Sequence, residues 1–329
     1  MVEYDEYIEL INFLVDKKRA SFKAVAESFS SSIVDTQRKL KRLAEIGAPF
    51  YVCETGVQLK DSQFLDVLSR EVIVKNISAR TSANIYLLLD TDSTNKYLRQ
   101  IKFTQEAENI IAIAEYQSSG VGRRGKRWVS PFGTNIYFSL RTTICKPIGE
   151  IGSISLVVGM AVIKTLTNLK VEHLMLKWPN DVYCDGKKLS GILIEVVRQH
   201  KNYIDLIIGI GINVSMGKGE AEEIDQKWTD IASIKKNIPV ARSEIIFTLI
   251  NTLIEYIKQY EQIGFSSFIR EWCEVDFLYG KPVVVTTSDG GKKYGVAAGV
   301  STKGELIMQQ DGETFTVSSG EVSVRVHNA

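Results

Sequence analysis

The chain has 329 residues, 44% hydrophobic and 24% charged, which predicts two or three folded domains with cores of ordinary size. Its 40 Lys+Arg against 39 Asp+Glu leave a net charge of +1, which excludes a whole-molecule field drawing it to nucleic acid or membrane. No apolar run approaches the roughly 18 residues of a membrane span, and the acidic start Met1-Val2-Glu3-Tyr4-Asp5-Glu6 lacks a signal peptide's basic start and apolar core. The cysteines (Cys53, Cys145, Cys184, Cys273) are far apart and read as reduced, buried, small hydrophobes of a cytoplasmic protein. His173, His200 and His327 have no ligand spacing, which argues against a structural zinc site or a Ser-His-Asp triad.

The first segment, residues 1–65, predicts helices over 7–15, 21–29 and 33–46. Ser30-Ser31-Ser32 supplies a turn and an N-cap before the third, and Gly47 its C-cap. Positions 33, 36/37, 40, 43 and 46 keep helical apolar spacing, while Arg38, Lys39, Lys41 and Arg42 occupy the other face. Two strand-like pieces, 50–53 and 57–59, follow. This is the layout of a winged helix-turn-helix, whose third helix would enter the major groove with Ser32, Gln37, Arg38, Lys39, Lys41 and Arg42 as candidate DNA contacts. The alternative is a charged, solvated helix in a small helical cap.

The second segment, residues 66–275, predicts strands over 84–89, 109–116, 134–141, 188–197 and 203–210, with helices over 96–103, 151–169, 243–262 and 265–272. Asp185-Gly186 is a two-residue hairpin signal, and residues 215–226 form a loop of low apolar content. Hairpins mixed with helices indicate an α+β domain on a mixed sheet, not a βαβ array. The third segment, 276–329, predicts five short strands (282–287, 293–300, 305–310, 313–317, 322–326), with Asp289-Gly290-Gly291 among the turns, as in a small SH3-like barrel.

The most distinctive stretch is Gly120-Val121-Gly122-Arg123-Arg124-Gly125-Lys126-Arg127-Trp128: three glycines that admit close backbone approach, and four cations in five positions. It matches G-x-G-x-x-G, but Pro131 and Gly133 stand where the dinucleotide helix would run. It also matches the start of a P-loop, but Arg127 replaces the Ser or Thr that ligates Mg²⁺. A solvated basic hairpin loop is the plain alternative.

Four further clusters sit at strand ends or loops: Ser93-Thr94-Asn95, Lys177 through Asp181, Lys188 through Glu195, and Gly209-Ile210-Gly211-Ile212-Asn213. Together with Gln117 and the glycine-rich loop they offer cations, neutral amides and hydroxyls, and one candidate metal carboxylate, with no Ser or Cys nucleophile beside a base. Such an inventory suits ATP and a carboxylic acid bound side by side, with catalysis by positioning and charge neutralisation.

Glu115-Tyr116-Gln117, the glycine-rich run, Ser130-Pro131-Phe132-Gly133, Lys177-Trp178-Pro179-Asn180-Asp181, Lys188-Leu189-x-Gly191-Ile192-Leu193-x-Glu195 and Gly209-x-Gly211-Ile212-Asn213, in this order, resemble the biotin protein ligase family. With the flanking segments, all three domains resemble its bifunctional branch, ligase and biotin operon repressor. The resemblance implies a class II synthetase-like central domain that uses ATP and Mg²⁺. It would make biotinyl-5′-AMP and pass biotin to a lysine of the carrier domain of acetyl-CoA carboxylase. It further implies operator DNA as a partner and a homodimer formed with the adenylate.

Carried onto this chain, Ser93, Thr94, Asn95 and Gln117 would bind the biotin ring system, with Val121 and Gly122 in the covering loop and Arg123 holding the intermediate. Lys188 would reach the carboxylate and α-phosphate. Lys126, Lys177, Asn180, Asn213 and Trp228 would face ATP or the adenylate, and Asp181 would take Mg²⁺. Ser93-Thr94-Asn95 also reads as a helix cap, Lys177 and Asp181 as a structural ion pair, and Trp128 as core. The repressors of the family usually carry Arg where this chain has Val121. Other readings are a ligase whose N-terminal domain no longer represses, a non-enzymatic ligand-sensing regulator, and a lipoate-type ligase.

Overall fold

A computed structural model describes every residue except 1, 61–64, 80, 102–108, 218–223, 237–239, 288–289, 321 and 328–329. The end of the helix expected over 96–103, the middle of the 215–226 loop and the turn at Asp289 lie outside the described residues.

The chain opens with α1 (Val2–Lys17), β1 (Arg19–Ser21), α2 (Phe22–Ser28), α3 (Ile33–Glu45), β2 (Phe50–Val52) and β3 (Gly56–Leu59). Helix α1 starts well before the expected residue 7, because Tyr4 and Tyr7 extend the buried stripe of Leu10, Ile11 and Leu14, and Glu3 and Asp5 suit a helix N-terminus. Ser21 and Ser32 cap α2 and α3, their hydroxyls accepting from the Ala24 and Asp35 amides. Thr36, Leu40 and Leu43 of α3 and Ile46 beyond it are buried as the spacing predicts; Ile33 is not, since the first turn of α3 projects into solvent. Strand β1 went unforeseen; three residues are too short to show a period. It pairs with β3 in the sheet order β1-β3-β2.

Next come α4 (Arg70–Asn76), β4 (Asn84–Thr91), α5 (Thr94–Gln100), β5 (Asn109–Gln117), β6 (Ile136–Ile144) and α6 (Ile154–Asn168). The segment ends with β7 (Leu174–Lys177), β8 (Asp181–Cys184), β9 (Lys187–Gln199), β10 (Ile204–Ile212), α7 (Ile231–Ile234), α8 (Arg242–Ile263) and α9 (Ile269–Val275). The strands form one seven-stranded sheet, β4-β5-β6-β10-β9-β8-β7, parallel at β4/β5 and antiparallel elsewhere. Ile111, Ile113, Phe138 and Leu140 join the main core with α6 and α8, while Ile110, Ala112 and Ile207 meet Leu98 of α5 on the other face. Helix α6 is the buried central helix the composition predicts. Helix α4 was missed because its β-branched run of Val72, Ile73 and Val74 is a weak helix signal. The helix expected over 265–272 is instead a 3-10 turn, Phe265–Phe268, followed by α9.

The last segment holds β11 (Pro282–Thr286), β12 (Lys292–Val300), β13 (Leu306–Gln310), β14 (Glu313–Val317) and β15 (Ser323–Val326) in one antiparallel sheet, β14-β13-β12-β11-β15. It joins the central sheet where the Trp178 indole N–H donates to Gly304 O (3.0 Å) and the Phe277 N–H to Leu176 O (3.0 Å).

At the other junction, the Glu115 carboxylate of β5 is fully buried against Arg242 of α8 at 2.6 Å. It also accepts from the Tyr4 hydroxyl of α1 (3.0 Å) and the Leu68 amide (2.8 Å). The Tyr4 hydrogen bond to this buried pair thus ties the first helix to the central sheet. The expectation of four buried cysteines fails: only Cys184 is buried, whereas Cys53, Cys145 and Cys273 are exposed, since hydrophobic character does not say which side of an element a residue takes.

Candidate active site

The glycine-rich loop leaves the sheet where β5 ends at Gln117. It closes on itself: Val121 bridges Arg127, the Gly122 N–H donates to Lys126 O (2.7 Å) and the Trp128 N–H to Gly120 O (2.9 Å). At its tip a 3-10 turn covers Arg123–Gly125, with Arg124 and Gly125 at φ +57° and +70°. No helix follows before β6, which removes both phosphate-loop readings. The solvated-loop alternative holds only in part: Arg124, Lys126 and Arg127 are exposed, but Gly122 and Arg123 are half-buried and face inward.

Inward lies a cavity of about 60 Å³ whose lining includes Ser93, Thr94, Asn95, Gln117, Val121, Gly122, Arg123, Asn180 and Lys188. Every residue carried over to the biotin ring and its covering loop therefore meets in one place. Ser93 is the N-cap residue of α5, yet its hydroxyl makes no capping bond, so the helix-cap reading leaves that hydroxyl unexplained. Thr94 donates its N–H (2.9 Å) and its hydroxyl (3.3 Å) to Gln117 Oε1, and Gln117 Nε2 donates to Ser130 Oγ (2.9 Å). Gln117, at the end of β5, thus clamps the start of α5 to the far end of the glycine-rich loop.

A second cavity of about 300 Å³ is lined by Lys126, Arg127, Trp128, Val129, Lys188, Asn213, Trp228 and residues 224–226. It collects three of the five residues assigned to ATP: Lys126, Asn213 and Trp228. Asn213 donates through Nδ2 to Thr229 O (3.0 Å), and residues 227–229 run beside the start of β9, with the Lys188 N–H donating to Lys227 O (3.0 Å). Asn180 belongs to the first cavity instead.

Trp128 and Lys188 line both cavities. The Trp128 indole lies on the sheet over Gly211, where a Cβ would stand 2.4 Å from the ring, and beside Gly191, where one would stand 3.0 Å away. Trp128 is the wall between two compartments and not core alone. The Lys188 ammonium sits 5.5 Å from the Trp128 ring centroid and 2.8 Å from Asp181 Oδ1. Asp181 and Lys177 stand outside both linings; they are opposite each other in the β7/β8 pair, but the Asp181 carboxylate salt-bridges Lys188 while Lys177 donates to the Tyr183 hydroxyl at 3.3 Å. Burial pushes the Lys177 ammonium below its usual value, opposed by Asp181 and reinforced by the cations Lys188, Arg325 and Lys126.

Arg123 reaches across the seam. Its guanidinium donates to Asn180 Oδ1 (3.0 Å), to Ser319 O (2.8 Å) and to Gly320 O, joining the loop to the β7–β8 connection and to the connection after β14 of the C-terminal segment. Burial lowers its pKa, with Asp181 opposing and Arg124 adding to the shift. Guanidinium stays charged through such shifts, so the seam between the compartments has Lys188, which lines both, and Arg123, which lines the first, as cations suited to anionic charge.

No three His, Cys, Asp or Glu side chains cluster for a metal among the described residues. A Mg²⁺ held mainly by phosphate oxygens needs only one or two carboxylates, so Asp181 fits that limited role. Sequence reasoning missed the supports of the site: Ser130, Ser139 of β6 and the Asn95–Glu195–Arg99 contacts. Only the glycines of β10 hinted at side chains lying flat on the sheet.

On α3 the candidate DNA residues divide. Arg42 pairs with Glu3 and, at 2.6 Å, with Asp90 of β4; Lys39 pairs with Glu6 at 3.0 Å. Gln37, Arg38 and Lys41 remain on the exposed face, Arg38 pairing with Asp35 and Lys41 with Glu45, and Ser32 is the cap. No helix among the described residues is long and apolar enough to cross a membrane.

Residues 88–213 match the biotin/lipoate A/B protein ligase family, and residues 278–325 the C-terminal domain of biotin protein ligases. The chain is 31% identical over 320 residues to the bifunctional ligase/repressor BirA of Salmonella typhimurium, and 29% to that of Escherichia coli. Each alignment covers 97% of both chains. The biotin protein ligase of Aquifex aeolicus, solved in complex with biotin and ATP, is 28% identical. It superposes with a TM-score of 0.64 over 74% of this chain and 99% of that one. The chain therefore belongs to the biotin protein ligase family and is a ligase enzyme.

Proposed function

We propose that the protein activates biotin with ATP and transfers it to a lysine of the biotin carboxyl carrier domain of acetyl-CoA carboxylase. The observation that carries this is the pair of adjoining compartments sharing Trp128 and Lys188: a narrow one lined by Ser93, Thr94, Asn95 and Gln117, and a wider one lined by Lys126, Asn213 and Trp228. Biotin occupies the first and the nucleotide the second, so the biotin carboxylate and the α-phosphate meet at Lys188 and Arg123. A carboxylate oxygen attacks the α-phosphorus, the bond to the β-phosphate oxygen breaks and pyrophosphate leaves. The carrier lysine amine then attacks the acyl carbon of biotinyl-5′-AMP, AMP leaves, and the amide nitrogen loses its proton. Both steps concentrate negative charge at the seam, where fixed cations stabilise it without reorganising. Asp181, the carboxylate paired with Lys188 at the edge of the two cavities, would help hold a Mg²⁺ accompanying ATP, which would supply charge neutralisation at the phosphates.

The test is biotin-dependent exchange of pyrophosphate into ATP. Lys188→Ala should lower exchange by about 10²–10³-fold while the thermal midpoint moves little; normal turnover by the variant would remove Lys188 from the reaction, and no exchange by active parent protein would remove the ligase reading.

The same reading divides the chain into a winged helix-turn-helix (1–65), the ligase domain (66–275) and an SH3-like barrel (276–329). It makes the first a repressor of biotin genes, bound to operator DNA as a homodimer with biotinyl-5′-AMP as corepressor, in the cytoplasm. A specific observation favours a second reading, a ligase whose first domain no longer represses: Lys39 and Arg42, half of the α3 cations, are engaged by Glu6, Glu3 and Asp90. Gel-shift on the DNA upstream of the biotin genes, with and without biotin and ATP, separates them: a ligand-dependent shift supports repression, and its absence supports the ligase alone.

A further inference from the structure

Glu195 of β9 lies outside both cavities, yet it holds Asn95, which is part of the first lining and only 3% exposed. Asn95 Nδ2 donates to Glu195 Oε2 at 2.7 Å, and the other carboxylate oxygen, Oε1, takes the Arg99 guanidinium at 2.8 Å. Asn95 and Arg99 are one turn apart on α5, so both reach the same strand. On the opposite side of the amide, Ser139 Oγ lies 2.6 Å from Asn95 Oδ1. Beneath it is Gly209, where a Cβ would stand 2.4 Å from Oδ1.

An amide side chain has two nearly isosteric orientations that exchange a donor for an acceptor. The Ser139 hydroxyl, also 2.7 Å from the Thr94 hydroxyl, can donate its one proton to either neighbour and accept from the other, and so tolerates either orientation. Gly209 contributes no polar side chain. A carboxylate only accepts, so Glu195 forces Nδ2 to its own side and leaves Oδ1 on the other. Arg99 supplies the counter-charge that holds the carboxylate in place.

We propose that Glu195 is a positioning residue for biotin: it fixes the orientation of the Asn95 amide that faces the bicyclic ring. This rests on the ring compartment assigned under the proposed function. A cyclic urea presents N–H donors beside a carbonyl acceptor, and a turned amide offers it the wrong polarity. The phosphate chemistry lies away from this contact, at Lys188 and Arg123. The loss therefore belongs to biotin binding and not to turnover or to ATP.

The experiment is pyrophosphate exchange by the full-length chain, titrated separately in biotin and ATP. Glu195→Ala should raise KM for biotin by about ten-fold, with kcat and KM for ATP within about two-fold. Glu195→Gln keeps the shape but adds a donor, and with its oxygen drawn to Arg99 it no longer dictates the Asn95 orientation; it should also raise KM for biotin, and it serves as the readout should Glu195→Ala fail to fold. In an Asn95→Ala background, Glu195→Ala should add nothing to KM for biotin, because the partner through which it acts is gone. An unchanged KM in Glu195→Ala, an equal fall in kcat, or a full additive effect on top of Asn95→Ala would each overturn the proposal. A parent protein that exchanges normally beside such a result leaves the ligase reading standing; a parent protein with no biotin-dependent exchange sinks the ligase reading itself.

Discussion

At the scale of single residues, the site is built as much by missing atoms as by present ones. A Cβ on Gly209 would stand 2.4 Å from Asn95 Oδ1, and one on Gly211 equally close to the Trp128 indole. The two glycines are neighbours on one face of β10 but serve different compartments. Gly209→Ala should therefore raise KM for biotin by about 10–100-fold and spare KM for ATP, whereas Gly211→Ala should raise both, because Trp128 walls both cavities. Steady-state pyrophosphate exchange titrated in each substrate separates the two outcomes; identical profiles would contradict the two-compartment arrangement. The motif Gly209-x-Gly211-Ile212-Asn213 was legible as a string, but its reason was not: spacing says the glycines share a face, and only the packed structure shows which side chains lie on them.

At the scale of elements, β5 carries unlike duties two residues apart on one face. Glu115 binds Arg242, Tyr4 and Leu68, while Gln117 clamps Thr94 and Ser130. Both partners of the buried pair are at most 1% exposed, so removing one strands the other's charge. Arg242→Met should cost ~3–5 kcal/mol of stability, seen as a lower denaturant midpoint with an unchanged slope. A loss under about 1 kcal/mol would mean that the junction relaxes around the vacancy. The strands and long helices around this pair were readable from continuous β-prone or apolar runs, as for β5 and α6. The elements that were missed, β1, α4 and α7, have three, seven and four residues, too few for a period to stand out against weak propensity.

At the scale of the whole molecule, three segments meet around one site. Arg123 ties the glycine-rich loop to carbonyls of the connection after β14, and Arg42 ties α3 to Asp90 at the end of β4, three residues before Ser93. The proposed homodimer belongs to this scale as well. Sedimentation velocity should show a shift from monomer toward dimer when biotin and ATP are added together, but not with ATP alone, if the adenylate drives association. The same sedimentation coefficient with and without both substrates would separate this chain from the ligand-linked pattern, and Val121, 36% exposed on the loop, would be the first position to exchange for Arg.

The order of motifs along the chain was sufficient to indicate the family, the mixed central sheet and the residues of the first compartment, because those properties rest on local chemistry: turns, alternation, and polar residues at strand ends. Whether each polar group faces ligand or neighbour was decided only by tertiary structure. Lys177 and Asp181 end the same five-residue motif and face each other across the β7/β8 pair, yet one turns to Tyr183 and the other to Lys188; Lys39 and Arg42 sit on a basic helix, yet face acids of α1 and β4. Direction at that level depends on which surfaces come together across tens or hundreds of residues, and side-chain spacing along one element carries no record of that.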